Sequence, residues 1–321
     1  MAAIHVSNML KFKKDKFRVL IVPDIQIRTP VGEKQKTILE KTIKKTHPDL
    51  MVLLGDMIFG QMIVSKKKTR KVLDSLLKMI EGLKTPFVFV FGNHDMDAKI
   101  LPEEQLDLYC KLKNNLTPAF KERECEAAFY KDIYKDDKPA ARLLFIDSGE
   151  SSYSIRGMEY VPASKEQIKY TNNLLNKKSC PPTFIFQHVP VPEVYDLFQR
   201  VPKQRGAVRG HYDDKDKYFC LKPGVEGVAG EAPVPPTNNS GQFDGWVDSK
   251  KVVFAAFAHD HKNSFIGEDY GIVITHTSTA GLYCYGKKAT RGVRILDIHS
   301  DGSFETEPLF FKDLLNPSQR P

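Results

Sequence analysis

The sequence predicts an α/β protein. Two observations carry this expectation. Strand-like and helix-like stretches alternate from the start, and the strand-like runs are apolar almost throughout, the pattern of strands covered on both faces. Phe17-Arg18-Val19-Leu20-Ile21-Val22-Pro23 is the first such run, ending at Asp24-Ile25-Gln26. Gly32 to Thr46 follows as a helix, with Ile38, Leu39 and Ile43 on one face. Asp49 to Leu54 is a second buried strand, ending at Gly55-Asp56. A helix from about Thr69 to Leu83 leads to a third strand, Phe87 to Phe91, which ends at Gly92-Asn93-His94-Asp95. This β-α-β-α-β order implies parallel strands joined by right-handed crossovers. Pro102 to Leu112 reads as a further helix, opened by proline.

The second half continues in kind. Ala141 to Ser148 is a strand, Ser164 to Leu175 a helix with Ser164 at its cap, and Thr183 to Gln187 a strand ending at His188. From Val201 to Asp244 the chain becomes rich in Gly, Pro, Asn and charge, which predicts a long irregular excursion over the surface. Val252 to Phe257 restores the strand pattern and runs into Ala258-His259-Asp260-His261. Strands at Gly271–His276, Gly292–His299 and Phe304–Leu309 close the chain, the last two joined by a Ser300-Asp301-Gly302 turn.

Composition narrows the setting. The chain has 321 residues, 41% hydrophobic and 27% charged, an ordinary globular mixture. The five cysteines are scattered and form no Cys-x-x-Cys, so neither a disulfide framework nor a zinc knuckle is expected. The start of the chain has no apolar core of the secretory kind, and no run approaches a membrane span. A reducing, cytoplasmic location without membrane contact is the expectation. Net charge is +8, which favours anionic partners, phosphorylated molecules and nucleic acid among them. The sharpest basic run, Lys66-Lys67-Lys68-Thr69-Arg70-Lys71, precedes apolar residues at helical spacing and reads as the solvated start of a helix.

Polar residues gather at strand ends: Asp24 and Gln26, Asp56, Asn93 and His94, His188, then His259 and His261. Ligands of open α/β sheets collect at the carboxyl ends of strands. Each residue has a plain alternative, since Asp24 serves equally as a turn residue and His188 as a satisfied core histidine. Asp56 is harder to dismiss, because a lone buried carboxylate is costly. His259 and His261, two apart on an extended segment, face the same side. Carboxylates, an amide and imidazoles converging on one rim suit two hard or borderline divalent ions, which clamp a phosphoryl group when about 3.5–4 Å apart. Asp95 is placed either to orient His94 or to hold the loop.

The ordered set Asp24-x-Gln26, Gly55-Asp56, Gly92-Asn93-His94-Asp95, His188 and Ala258-His259-x-His261 resembles the calcineurin-like metallophosphoesterase superfamily over about Phe17 to Leu309. The stretches from His188 to Glu193, His259 to Asn263, Ser278 to Tyr283 and Arg291 to Arg294 resemble its purple-acid-phosphatase-like branch that lacks a large N-terminal domain. The resemblance implies a four-layer α/β/β/α sandwich of two mixed sheets flanked by helices. It implies a first ion on Asp24, Asp56 and His261, and a second on Asp56, Asn93, His188 and His259, with Asp56 bridging. His94 would serve the phosphoryl oxygens or the leaving group. The ions would be Mn, Fe, Zn or Mg.

Two departures stand out. Gln26 occupies a position where the family has histidine, and could bind only through its amide oxygen. Phe59 occupies the position of the iron-binding tyrosine of purple acid phosphatases. The expected activity is hydrolysis of phosphomonoesters by a metal-bound hydroxide, on a small molecule or a phosphoprotein. A phosphodiesterase or nuclease competes on the basic charge, but no aromatic-interleaved basic stripe marks a nucleic-acid track. A binding protein with a weakened metal site competes on Gln26. The expected organisation is a basic extension over 1–16, one catalytic domain over 17–315 containing the 201–244 excursion, and a tail over 316–321.

Overall fold

A computed structural model describes residues 9–154 and 157–315. Residues 1–8 of the expected extension and the expected tail over 316–321 lie outside the described residues.

Two mixed sheets form the body. The five-stranded sheet runs Phe304–Phe310, Gly292–His299, Lys16–Val22, Leu50–Leu54, Phe87–Val90, with the last three parallel. The eight-stranded sheet runs Leu10–Lys11, Ala128–Lys135, Lys138–Ile146, Thr183–Gln187, Val252–Phe257, Ile272–His276, Ser264–Asp269, Glu226–Val228. Its four middle strands, from Lys138–Ile146 to Ile272–His276, are mutually parallel.

Three buried clusters show why the strand runs are apolar throughout. Val19, Ile21, Val52, Leu54, Val88 and Val90 face across to Phe184, Phe186, Phe254 and Ala256, filling the space between the sheets. The alternate residues Leu20, Met51, Leu53, Phe87 and Phe89 face outward onto Ile38, Leu39, Val72, Leu76 and Ile80 of the helices Glu33–Thr46 and Lys66–Gly82. On the far side, Leu144, Ile146, Ile185, Ala255 and Phe257 face Leu174, Leu175 and Trp246 of the helices Lys165–Leu175 and Gln242–Ser249. Helix, sheet, sheet and helix thus make four layers, as expected.

The local signals act where expected. Ser65 caps the basic helix from Lys66, so the lysine run is its exposed first turn. The Ser164 side chain accepts from Gln167 N, and the Gln167 side chain accepts from Ser164 N, a reciprocal cap. The excursion differs from expectation. Phe198–Val201, Val208–Arg209 and Tyr218–Leu221 form an antiparallel sheet of their own, and Glu226–Val228 extends the eight-stranded sheet. These strands are short and half-exposed, so they lack the apolar signature of the core strands, and long-range pairing alone defines them. Among the described residues, no helix is long and apolar enough to cross a membrane.

Candidate metal centre

The site stands where parallel strands of both sheets end. Asp24 lies two residues past Val22, Asp56 two past Leu54, Asn93 three past Val90, His188 directly after Gln187, and His259 two past Phe257. The strand pairing continues into the loops: Asp24 N donates to Gly55 O, and Gln26 N to Asp56 O. The backbone must turn sharply to present side chains here. Asp24, Gln26, Asp56 and His259 all adopt left-handed φ values, of 51°, 46°, 55° and 77°. Two glycines make room. A Cβ on Gly55 would meet His188 Nδ1 at 2.6 Å, and one on Gly92 would meet Asp56 Oδ1 at 2.3 Å.

Asp95 ties two loops together. Its carboxylate accepts from the backbone N–H groups of Asp56 (2.7 Å), Met57 (3.0 Å), Ile58 (3.2 Å) and Gly92 (3.1 Å). Of the two roles open to Asp95, holding the loops is the one these bonds carry. Burial and the charge of Asp56 push its carboxyl up to about 7, against the pull of those backbone donors.

The donor atoms converge. Asp56 Oδ2 lies 3.3 Å from His188 Nε2, and Asp24 Oδ1 lies 3.2 Å from His261 Nε2 and 3.8 Å from His188 Nε2. Ligand atoms of Asp56, His188 and His259 fall within 4.8 Å of one another. His188 Nδ1 donates to Leu54 O at 2.8 Å, and His261 Nδ1 to Tyr285 O at 2.8 Å. A carbonyl only accepts, so each Nδ1 carries a proton, and in the neutral ring this leaves Nε2 the lone pair a metal needs. Asp24 Oδ1, Asn93 Oδ1, His188 Nε2 and His261 Nε2 are buried without a well-formed hydrogen bond, the two imidazoles meeting only the carboxylates of Asp24 and Asp56 at ion-pair distance. Buried polar atoms are nearly always well bonded, so this group of carboxylate and imidazole atoms, packed together without proper hydrogen bonds, fits a cation. Oxygen and imidazole donors suit Mn²⁺, Fe, Zn²⁺ or Mg²⁺.

The charges are coupled. Burial works against the Asp56 carboxylate, yet the imidazoles of His188 and His94 hold its carboxyl below the usual range. Burial likewise opposes protonation of His188, and Asp56 and Asp24 push it up to about 9. Burial and the neighbouring His188 drive His259 well below the usual value. Burial disfavours charge on His261, but Asp24 raises it well above.

Gln26 behaves differently from expectation. It offers its nitrogen, donating Nε2–H to Asp56 Oδ2 at 3.0 Å, instead of presenting the amide oxygen to an ion. His94 stands apart from the candidate ligands, its Nε2 4.0 Å from Asp56 Oδ2. Its backbone N–H donates to Asp56 Oδ1 at 2.7 Å, and its Nδ1 lies 3.4 Å from Asp97 Oδ2. Phe59 packs edge-on against the His94 ring, with centroids 4.4 Å apart. Burial opposes protonation of His94, but Asp56 and Asp97 together raise it above the ordinary value.

Sequence reading missed several supports. Tyr285 stacks on His261 at 4.0 Å, and Tyr160 meets His259 edge-on at 4.7 Å. Thr279 Oγ1, Ala280 N and Gly281 N donate to the carbonyls of Asp24, Pro23 and Asp24, bolting the first loop in place. Asp260 accepts from His276 Nε2 at 3.0 Å. The Ser278–Tyr283 stretch was visible as a motif, but nothing local in the sequence pairs it with Asp24.

A cavity of about 880 Å³ lies beside the centre. Its wall includes Phe91, Gly149, Gln187 and Val189, the neighbours of Asn93 and His188 but not the ligands themselves. Pro236 and Ser240 of the excursion also line it.

The calcineurin-like phosphoesterase family description matches residues 17–263. The chain is 25% identical over 275 residues to probable inactive purple acid phosphatase 29 of Arabidopsis thaliana, covering 78% of this chain and 64% of that protein. It is 24% identical over 290 residues to probable inactive purple acid phosphatase 14 of the same plant, covering 81% of this chain and 66% of that protein. The chain thus spans just under two thirds of the length of these relatives. A solved dimetal phosphatase from Danio rerio superposes with a TM-score of 0.56 at 12% identity, covering 90% of this chain and 98% of that one, which speaks to the fold.

Proposed function

Because the chain belongs to the calcineurin-like phosphoesterase family, we propose that it is a metal-dependent phosphoesterase that hydrolyses phosphomonoesters, phosphoproteins among them. One observation carries the proposal: buried donor atoms of Asp24, Asp56, His188, His259 and His261 converge at the carboxyl ends of the strands without well-formed hydrogen bonds among Asp24, His188 and His261. Asp24, Asp56 and His261 would hold one divalent ion, and Asp56, Asn93, His188 and His259 the other. When bound, the ions supply charge against the phosphoryl oxygens and acidify water.

The chain's own residues do the rest. His94, raised above the ordinary histidine value and turned by Asp97 and Phe59, donates a hydrogen bond to a phosphoryl oxygen or a proton to the departing alkoxide. Asp95 keeps Asp56 and Asn93 in register by binding both loops. Tyr160 and Tyr285 hold the imidazoles of His259 and His261. The cavity beside Asn93 and His188 receives the body of the substrate. Residues 17–315 form the catalytic unit, and five free cysteines fit a reducing, cytoplasmic setting.

The test is an activity panel on metal-reconstituted protein, comparing phosphomonoesters, phosphodiesters and phosphoproteins. Preference for monoesters supports the proposal. Cleavage confined to diesters or nucleic acid overturns it. A second reading, a binding protein without robust chemistry, draws on the amide of Gln26 and on plant relatives named as probably inactive. It predicts no turnover on any substrate of the panel.

A further inference from the structure

The last limb of the excursion runs from the edge of the eight-stranded sheet to the candidate metal centre. Val228 pairs with Ser264, so the chain leaves the sheet beside the loop that carries His259 and His261. From there it is bonded to that loop at three places. Asn263 Oδ1 accepts from Gly230 N at 2.9 Å and from Glu231 N at 3.2 Å. The Glu231 carboxylate accepts from Lys262 N at 3.0 Å and from Lys262 Nζ at 2.9 Å. Asp260 Oδ2 accepts from Val234 N at 3.4 Å. Farther on, Pro236 and Ser240 form part of the cavity wall. The limb ends at Gln242, whose Nε2 donates to Gln187 Oε1 at 2.8 Å, one residue before His188. One stretch, 230–242, thus bonds to the segments carrying all three candidate imidazole ligands and walls the cavity beside them.

The ligand rings have other supports. The Tyr285 ring and carbonyl hold His261, and the Tyr160 ring meets His259. Neither tyrosine belongs to 230–242. Asn263 is fully buried and its Nδ2 has no partner, so the two bonds accepted by Oδ1 are what its amide contributes. At about 880 Å³ the cavity is of the size that takes a drug-sized body, well beyond a phosphate alone.

Resting on the reading of the cavity as the place of the substrate body, we propose that residues 230–242 are its specificity-determining wall. Asn263 and Glu231 are the positioning residues that hold this wall against the loop of His259 and His261. The substrates selected are phosphomonoesters whose body extends past the esterified residue, a phosphopeptide in preference to a free phospho-amino acid. The wall acts on binding of that body, and the candidate ligands hold their ions without it.

The experiment measures dissociation constants by calorimetry on the full chain loaded with Mn²⁺. The probes are the non-hydrolysable phosphonate analogue of phosphoserine and a short peptide containing it. Wild type should bind the peptide more tightly than the free analogue. Asn263→Ala takes the acceptor from Gly230 N and Glu231 N, and Glu231→Ala takes it from Lys262. Each should weaken the peptide by about 10-fold, the weight of one net hydrogen bond. Each should leave the free analogue and the bound Mn²⁺ as in wild type. Glu231→Gln keeps an oxygen for Lys262 N and loses only a part-exposed ion pair, so it should retain wild-type selectivity. The two alanine variants lie on opposite sides of the contact, so one still reports if the other fails to fold. Equal binding of both probes by wild type would overturn the inference. So would variants in which peptide, free analogue and metal weaken together, the mark of a merely structural role. Turnover of the matching phosphoserine compounds separates this inference from the phosphoesterase reading: peptide selectivity without hydrolysis would overturn that reading and leave the wall standing.

Discussion

The two sheets give the candidate metal centre unlike halves. The rim of the five-stranded sheet brings oxygen-bearing side chains: Asp24, Gln26, Asp56 and Asn93. The rim of the eight-stranded sheet brings nitrogen: His188, His259 and His261. The oxygen half is held by its backbone, through left-handed turns at Asp24, Gln26 and Asp56 and the N–H groups gathered by Asp95. The nitrogen half is held largely by its rings, against Tyr160 and Tyr285 and on the carbonyls of Leu54 and Tyr285. Neither sheet holds a complete site. The two halves are joined through the core between the sheets, so a change far below the rim is expected to reach the site.

The largest effect should come from Asp56→Asn, which removes the carboxylate nearest His188 and the one proposed to serve both ions. Metal content should fall to near zero and turnover to background, a loss on the order of 10³-fold or more. Elemental analysis and single-substrate kinetics check both, and a full metal complement with near-normal turnover would break the comparison.

His94→Ala comes next. It sits on the same rim but, unlike Asn93 beside it, is assigned no ligand role. Turnover should drop about 10²–10⁴-fold while metal content stays intact. Loss of an ion in this variant would move His94 into the ligand set.

Phe254→Ala tests the core between the sheets. Its ring is fully buried against Phe184, Phe186 and Phe304. Truncation should cost about 3–5 kcal/mol of stability in denaturant unfolding, and metal affinity should fall with it, although Phe254 is no ligand. Unchanged metal affinity would show that the rims are set independently of the core.

The smallest effect concerns colour. Iron-loaded protein should show no tyrosinate charge-transfer band in its visible spectrum, since Phe59 has no oxygen and its ring is engaged with His94. Such a band would place another tyrosine of the nitrogen side, Tyr160 or Tyr285, on the iron.

The strands were legible because burial on both faces leaves a continuous apolar run, as in Phe184 to Phe186. The polar residues ending those runs were legible for the same reason, since Asp56 after Leu54 breaks the pattern abruptly. What could not be read were relations across the chain. Nothing near Tyr285 announces that its carbonyl orients His261, and nothing near Gln26 shows which end of its amide faces Asp56. The excursion hid its strands because a short, half-exposed ladder such as Phe198–Val201 with Tyr218–Leu221 owes its existence to pairing, which composition does not record.

The left-handed residues at the strand ends carry a consequence for engineering. Asp24, Gln26, Asp56 and His259 each hold a conformation that costs a residue with a Cβ about 1 kcal/mol. Replacement by glycine, or for some by asparagine, would relieve that strain. A library selected only for heat resistance should therefore enrich substitutions at these four positions first, and survivors that have lost Asp24, Asp56 or His259 would hold metal poorly. Selection on this scaffold must score metal retention beside melting temperature, or it will discard the centre while improving the fold.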